Sequence, residues 1–211
     1  MLPEEPDRDT ARENLCRLLA ACYYEPAPEF GEERVFDAMH SAAARLDPEL
    51  AACARRMGEE FAARGPGELL VDYTRLFLGP SQVVAWPYGS AWLETLALTM
   101  GESTRSVTEL YREVGFELDE SFGELPDHVA AELEFLYLLV FRENRARRDD
   151  DAASVDAIAD VKRRFLARHL GAWIGPFAAA VQAGAETDFY RALAQLSERF
   201  VRMEADGGGA P

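Results

Sequence analysis

The sequence is poor in cysteine. Its 211 residues include three, Cys16, Cys22 and Cys53, and no C-x-x-C pair occurs. The odd number and the spacing favour neither a disulfide framework nor a zinc knuckle. Because all three lie among apolar or alanine-rich neighbours, we predict small buried side chains in a reducing compartment.

Basic residues are also scarce. The chain has 22 Lys and Arg against 38 Asp and Glu, a net charge of -16 and a pI of about 4.6. This balance argues against binding to nucleic acid or to an anionic membrane surface, since both attract basic proteins. Two interpretations stay open: an acidic surface that keeps the protein soluble, or one that steers a basic partner toward it.

The sequence indicates neither a membrane span nor a secretory signal peptide. No apolar run approaches the roughly 20 residues that a membrane span needs. The N-terminal segment MLPEEPDRD is acidic and has no apolar core, unlike a signal peptide. We therefore predict a cytoplasmic protein without stable membrane insertion.

Catalytic motifs are missing as well. No glycine-rich phosphate loop is present, and Ser90 in PYGSAW lacks the G-x-S-x-G pattern of a hydrolase nucleophile. His128 and Glu132 share one helix face beside Asp127, but a metal needs three or four convergent ligands. We predict no catalytic residue, no metal and no cofactor. The cluster is either a helix cap or, as an alternative function, the centre of a weak metal- or nucleotide-dependent hydrolase.

Apolar residues at helical spacing dominate what the sequence contains. The pattern predicts an all-α fold: a single globular domain of about 8–10 helices over residues 10–204. Residues 1–9 are expected to be a flexible N-terminus, and residues 205–211 a disordered tail. Helices are predicted near 10–24, 35–46, 48–64, 68–77, 104–114, 126–148, 153–169, 171–183 and 187–204.

One segment, SQVVAWPYGSAW, interrupts the helical pattern. Pro87 and Gly89 disfavour a helix there, so the loop at 79–92 is predicted to act as a hinge between two helical halves. Trp86, Tyr88 and Trp92 are large aromatic side chains in this loop. They form either a lid on the core or a groove that anchors a peptide.

Four short motifs follow one another along the chain. They are YTRLFLGP (73–80), WPYGSAW (86–92), ELPDHVAAEL (124–133) and FLARHLGAWIGPF (165–177). In sequence and in order they closely resemble motifs of the TorD/DmsD/NarJ family of redox-enzyme maturation chaperones. The resemblance extends over about residues 12–204.

The resemblance implies an all-helical cytoplasmic chaperone without catalysis. Members of this family bind the twin-arginine signal peptide of a molybdopterin-containing oxidoreductase and hold the apo-enzyme back from export until its cofactor is inserted. The implied partners are that peptide and the apo-form of a molybdenum oxidoreductase, with guanine nucleotide bound weakly by some members. Monomers and domain-swapped dimers both occur in the family. A chaperone of a non-exported enzyme is a further alternative.

The resemblance also implies which residues bind the signal peptide, because the family builds this region from the first three motifs. Gly101, in TMGEST, stands where the family often has a glycine before the next helix. Some members have Trp where this chain has Tyr73 or Tyr88, which alters the expected pocket shape. The residues carried over are Tyr73, Leu76, Phe77, Pro87, Tyr88, Ser90, Trp92, Gly101, Glu124, Pro126, Asp127 and His128.

An acidic stretch precedes the apolar segment LEFLYLLVF (133–141) and overlaps its first residues. A twin-arginine peptide presents two guanidinium groups and then an apolar run, so its receptor needs carboxylates beside an apolar groove. We therefore expect Asp127 at an exposed helix start, with Glu124 nearby. Between 117 and 134 there are seven acids and no Lys or Arg: Glu117, Asp119, Glu120, Glu124, Asp127, Glu132 and Glu134.

Overall fold

The all-α prediction is confirmed. The computed structural model describes residues 7–79, 83–94, 101–119 and 122–207, and in these ranges the chain forms ten α-helices, one π-helical turn and no β-strand. The helices are α1 (Arg8–Ala21), α2 (Glu29–Glu32), α3 (Val35–Leu46), α4 (Pro48–Tyr73), α5 (Ser90–Leu93), α6 (Glu102–Glu113), α7 (Val129–Arg148), α8 (Ala152–Arg168), α9 (Leu170–Gly184) and α10 (Asp188–Ala205).

Helix starts follow the caps that the sequence supplies. The Asp7 carboxylate accepts the Thr10 N–H at 2.7 Å, and α1 begins at Arg8, inside the segment 1–9 for which flexibility stays a prediction. Asp47 accepts from the N–H groups of Glu49 and Leu50 before α4. Such caps satisfy N–H groups that have no partner within the helix. The predicted tail begins one residue early, since α10 ends at Ala205; residues 1–6 and 208–211 lie outside the described ranges.

One domain results from pairwise packing of the long helices. α1 lies between α3 and α7, α7 packs on α8, and α8 on α9; α10 contacts both α4 and α9. The largest fully buried side chains include Trp173, Tyr190 and Phe200 from α9 and α10. Among the described helices, none has both the length and the apolar character needed to cross a membrane.

The two helices predicted at 48–64 and 68–77 form one continuous path with a kink. Gly65 has φ +74 and ψ 167, a backbone conformation that residues other than glycine rarely adopt, and Pro66 follows it. Beyond Tyr73 the path widens into the π-helical turn Thr74–Leu78 and ends at Gly79. Of the predicted hinge at 79–92, residues 80–82 lie outside the described part, while 90–93 form α5.

A buried ion cluster ties four helices together at one end of the domain. Arg12 of α1 binds both carboxylate oxygens of Glu204 of α10 at 2.7 Å. Lys162 of α8 donates to Glu143 of α7, which also lies 3.5 Å from Arg12. All four side chains are buried. The mutual pairing offsets the cost of removing these charges from water, so the loss of one member leaves its partners unpaired.

Substitution of Arg12 should therefore destabilise the fold strongly. Arg12→Leu leaves Glu204 without its main cationic partner and removes the Arg12 contact of Glu143, and we expect a loss of ~3–5 kcal/mol in the free energy of unfolding. Arg55→Leu is the matched control, because Arg55 pairs with Glu59 on the exposed face of α4 and should cost under ~0.5 kcal/mol. Urea unfolding measures both. Equal midpoint shifts for the two variants would contradict this assignment.

Candidate functional site

The second and third motifs meet at one place, which we term the motif junction (residues 86–92 and 124–129). Three hydrogen bonds donated by backbone N–H groups join its two halves. Val129 N–H donates to the Pro87 carbonyl at 2.8 Å, and Gly89 N–H donates to the Asp127 carbonyl at 2.9 Å. The Ser90 N–H donates to the Asp127 carboxylate at 2.8 Å. Residues distant in sequence are thereby fixed in a single surface region.

The expectation that Asp127 lies at an exposed helix start is wrong. Its side chain is 1% exposed, and its carboxylate accepts a hydrogen bond from the Ser90 N–H at the start of α5. Pro126 is not in the first turn of a helix either: its carbonyl accepts the Tyr111 O–H at 2.8 Å, and α7 begins only at Val129. Asp127 thus positions the loop above it.

His128, the residue before α7, caps that helix. Its Nδ1 accepts the Ala130 N–H at 3.2 Å, which requires that Nδ1 carry no proton. Burial lowers the pKa of His128 to about 4, and the nearby charges of Glu124 and Asp127 offset this only in part. At neutral pH the side chain is therefore an uncharged cap, one of the two roles that the sequence left open for the cluster.

Glu132 is fully buried one turn into α7. Its Oε2 accepts the Trp173 N–H at 2.9 Å, while Oε1 has no hydrogen-bond partner among the described residues. Burial raises the pKa of Glu132 well above its ordinary value, and the Asp127 charge acts in the same direction. The described residues contain no group of three His, Cys, Asp or Glu side chains arranged to hold a metal.

The aromatic side chains of the loop at 86–92 differ in exposure: one packs on the core and another faces solvent. Trp92 is half-buried; its indole N–H donates to the Trp86 carbonyl at 2.8 Å and its ring packs against Phe177 of α9. Trp86 itself is 52% exposed. Tyr88 donates its O–H to the exposed carboxylate of Glu124. Trp92 therefore packs as a lid on the core, whereas Trp86 leaves an aromatic surface exposed; peptide anchoring by the loop stays a prediction.

The first motif lies beneath this surface. Tyr73, Leu76 and Phe77 are buried in the core, and the Leu76 carbonyl accepts the N–H groups of Val84 and Ala85 at 3.1 and 3.0 Å. These predicted residues therefore support the motif junction from below, and the structure does not bring their side chains to its surface.

Gly101 lies so close to the Glu94 carboxylate that a larger residue would collide with it. The sequence analysis did not identify Glu94. A Cβ at Gly101 would lie 2.1 Å from a carboxylate oxygen of Glu94. That carboxylate accepts the Ser103 N–H at 2.8 Å and the Ser103 hydroxyl, at the start of α6. These hydrogen bonds lower the pKa of Glu94. Glu94 directly follows α5 and precedes α6 by eight residues, so no local capping pattern in the sequence identifies it; residues 95–100 lie outside the described ranges.

Other positioning residues were also missed. A Cβ at Gly89 would lie 2.9 Å from the Trp173 indole nitrogen, so Gly89 lets the loop pack closely on α9. Asp72, next to the first motif, is buried and accepts the Thr187 N–H at 2.8 Å at the start of α10. Asp72 could have been found from its place beside the motif, whereas Trp173 lies in the fourth motif, whose residues were assigned no role.

The acidic stretch is divided by burial. Asp127 and Glu132 are buried, Glu117, Asp119 and Glu124 are exposed, and Glu134 is half-buried; Glu120 lies outside the described residues. The exposed acids therefore include Glu124 at the start of the third motif, and partly exposed Glu134 lies just beyond that motif.

Removal of the Asp127 carboxylate should weaken the fold. In Asp127→Ala the buried Ser90 N–H loses its acceptor, and we expect a loss of ~1–3 kcal/mol in the free energy of unfolding. Glu124→Ala is the control: its carboxylate is exposed, so the cost should stay within ~0.5 kcal/mol. Urea unfolding and hydrogen exchange at the Ser90 amide measure the effect. An Asp127→Ala protein as stable as Glu124→Ala would contradict the positioning role.

The histidine cap should make stability depend on pH. The pKa of His128 is lowered from 6.5 to about 4 in the folded state, so the unfolded chain takes up a proton first. Its contribution to stability is complete above pH 6.5 and falls as the pH drops toward 4, with a slope of up to ~1.4 kcal/mol per pH unit.

His128→Asn keeps a capping acceptor but does not titrate, so this part of the slope should disappear. His40→Gln, on half-buried His40 of α3, is the control. The measurement is urea unfolding from pH 7 to 4.5. The same pH slope in His128→Asn as in the unchanged protein would overturn the assignment.

Comparison with known proteins gives concordant matches. The family model described as "Nitrate reductase delta subunit" matches residues 38–179. A perchlorate reductase assembly chaperone protein of Dechloromonas aromatica is 30% identical over 210 residues, which is 94% of this chain and 90% of that protein. A chaperone protein TorD of Vibrio parahaemolyticus is 29% identical over 139 residues, covering 65% of this chain and 63% of the TorD chain.

A solved structure shares the fold. It is a crystal structure described as a redox enzyme maturation protein from Archaeoglobus fulgidus, with a TM-score of 0.56 and 20% identity over 90% of this chain and 93% of that one. The family match and the sequence relatives agree with the motifs that meet at the motif junction. The chain belongs to the nitrate reductase delta subunit family, the group of TorD- and NarJ-like redox-enzyme maturation chaperones.

Proposed function

We propose that the protein is a chaperone that binds the twin-arginine signal peptide of a molybdopterin-containing oxidoreductase. It holds the apo-enzyme for cofactor insertion before export. The observation that carries the proposal is the Tyr88–Glu124 pair, an exposed carboxylate held by a phenol two residues after the exposed Trp86. The relatives named as reductase-assembly and TorD chaperones support the chaperone role.

The chemistry of this surface suits the two parts of such a peptide. A guanidinium group pairs with a carboxylate through parallel N–H donors, and Glu124 Oε1 is free of the Tyr88 hydrogen bond, which Oε2 accepts. An apolar run gains free energy by covering exposed aromatic surface, and Trp86 supplies that surface with little loss of side-chain entropy. The buried residues of the motifs keep both groups in place.

The hydrolase alternative gains no support from the described residues. Asp127 is committed to the Ser90 N–H, Glu132 to Trp173, and His128 Nδ1 to the start of α7. None of the three therefore combines exposure with a free basic atom, as a general base acting on substrate requires.

The proposal places the protein in the cytoplasm, because a twin-arginine precursor carries its signal before export. The proposal is also compatible with a client enzyme that is not exported. In that case a segment with adjacent arginines and a following apolar run would occupy the same surface.

Peptide affinity should respond to salt in two separable parts. Exposed charge pairs are screened, whereas apolar burial is not weakened. We expect affinity for a twin-arginine peptide to fall as NaCl rises and then level off. Glu124→Gln should flatten the salt slope, and Tyr88→Ala should lower the plateau by ~1–2 kcal/mol. Isothermal titration calorimetry measures both.

Glu109→Gln, an exposed glutamate on α6, is the control and should change neither quantity. Affinity that stays constant from low to high salt would remove the carboxylate from the mechanism. A plateau untouched by Tyr88→Ala would leave the tyrosine as a structural residue. Absence of binding to any twin-arginine peptide would reject the proposed function.

A further inference from the structure

A groove outside the motif junction runs between the end of α1, residues 116–119 with Phe122, and α7. It consists of two adjoining cavities of about 500 and 400 Å³, which share Tyr24, Phe116 and Glu134 as lining residues. We call it the aromatic groove. Its apolar lining is Tyr24, Phe30, Phe116, Phe122, Tyr137 and Leu138, and none of these residues is among those that the family motifs assign to the peptide.

The aromatic groove carries a strong charge bias. Four carboxylates line it, from Glu25, Glu117, Asp119 and Glu134, against a single cation, Arg17, among the described lining residues. An apolar floor edged by carboxylates repels acidic ligands and attracts a cationic group attached to an apolar chain.

One carboxylate is held in place by the groove itself. The Tyr24 O–H donates to Glu134 Oε1 at 2.8 Å, and Glu134 is half-buried on α7. The bond leaves Oε2 and further lone pairs of the carboxylate available as acceptors. Glu134 is therefore fixed and only partly solvated, which strengthens pairing with a cation compared with a fully exposed acid.

The aromatic groove is continuous with the motif junction. The ring of Tyr24 contacts Phe122 with centroids 6.3 Å apart, Phe122 contacts His128 at 6.1 Å, and His128 contacts Tyr88 at 5.3 Å. A line of ring contacts thus connects the Tyr88–Glu124 pair with Tyr24 and Glu134, so the aromatic groove and the motif junction adjoin each other.

We propose that the aromatic groove is a second subsite for the same signal peptide and that it is the part that distinguishes arginine from lysine. This inference rests on the proposed function. A planar guanidinium stacks on aromatic faces while it pairs with a carboxylate, whereas a lysine ammonium is more strongly hydrated and has no planar face. Exposed Glu124 attracts either cation, but Tyr24, Tyr137 and Glu134 favour arginine.

The test compares twin-arginine and twin-lysine versions of one peptide by isothermal titration calorimetry. The unchanged protein should bind the arginine peptide about fivefold to tenfold more tightly. Glu134→Gln and Tyr137→Leu should bring this ratio close to one, because the first removes the charge and the second the aromatic face. Tyr88→Ala should weaken both peptides by the same factor and keep the ratio. Glu59→Gln, exposed on α4, should leave affinity and ratio unchanged.

Different results reject different parts of the scheme. If no peptide binds the unchanged protein, the proposed function fails and this inference with it. If both peptides bind equally to the unchanged protein, or if the ratio survives in folded Glu134→Gln and Tyr137→Leu, the inference alone fails. Sedimentation at rising protein concentration tests a second copy as the occupant. A dimer that these two variants dissociate, with the peptide ratio unchanged, would assign the groove to self-association and overturn the inference. Circular dichroism and urea unfolding confirm that each variant is folded.

Discussion

The motif junction depends on a buried acid. Asp127 joins two segments nearly forty residues apart, because its carboxylate and its carbonyl receive the N–H groups of Ser90 and Gly89. These N–H groups lie near the start of the four-residue helix α5, which is too short to be stable alone. The aromatic side chains of the loop are therefore placed by hydrogen bonds from the start of α7.

The layer below makes this arrangement possible. Trp173 of α9 packs under Gly89 and donates to Glu132, so α7, α9 and the loop meet at one indole ring. The π-helical turn ends beside them, and the Leu76 carbonyl receives the returning chain at Val84 and Ala85. Buried polar groups need partners, and here the partners come from different motifs. This gives a physical reason for the motifs to occur together.

The acids of the region have two separate tasks. Buried Asp127 and Glu132 organise the interior, while exposed Glu124 and half-buried Glu134 are available to a ligand. Tyr88 and Tyr24 each donate a hydrogen bond to one of the available acids. This tyrosine–carboxylate unit is repeated on either side of Phe122 and His128, and under the proposed function the two units would each pair with one of two adjacent arginines.

The sequence by itself determined the helical fold and most helix positions, since apolar spacing, capping Asp7 and Asp47, and the Gly65–Pro66 break act over a few residues. It also predicted a shared region for the motifs, and the second and third motifs do meet. Tertiary structure decided which members of the motifs reach the surface: Asp127 is buried and Glu124 exposed although they lie three residues apart. The aromatic groove likewise depends on α1 and α7 lying side by side. Burial arises from packing between distant segments, and a local pattern of residue types does not contain that information.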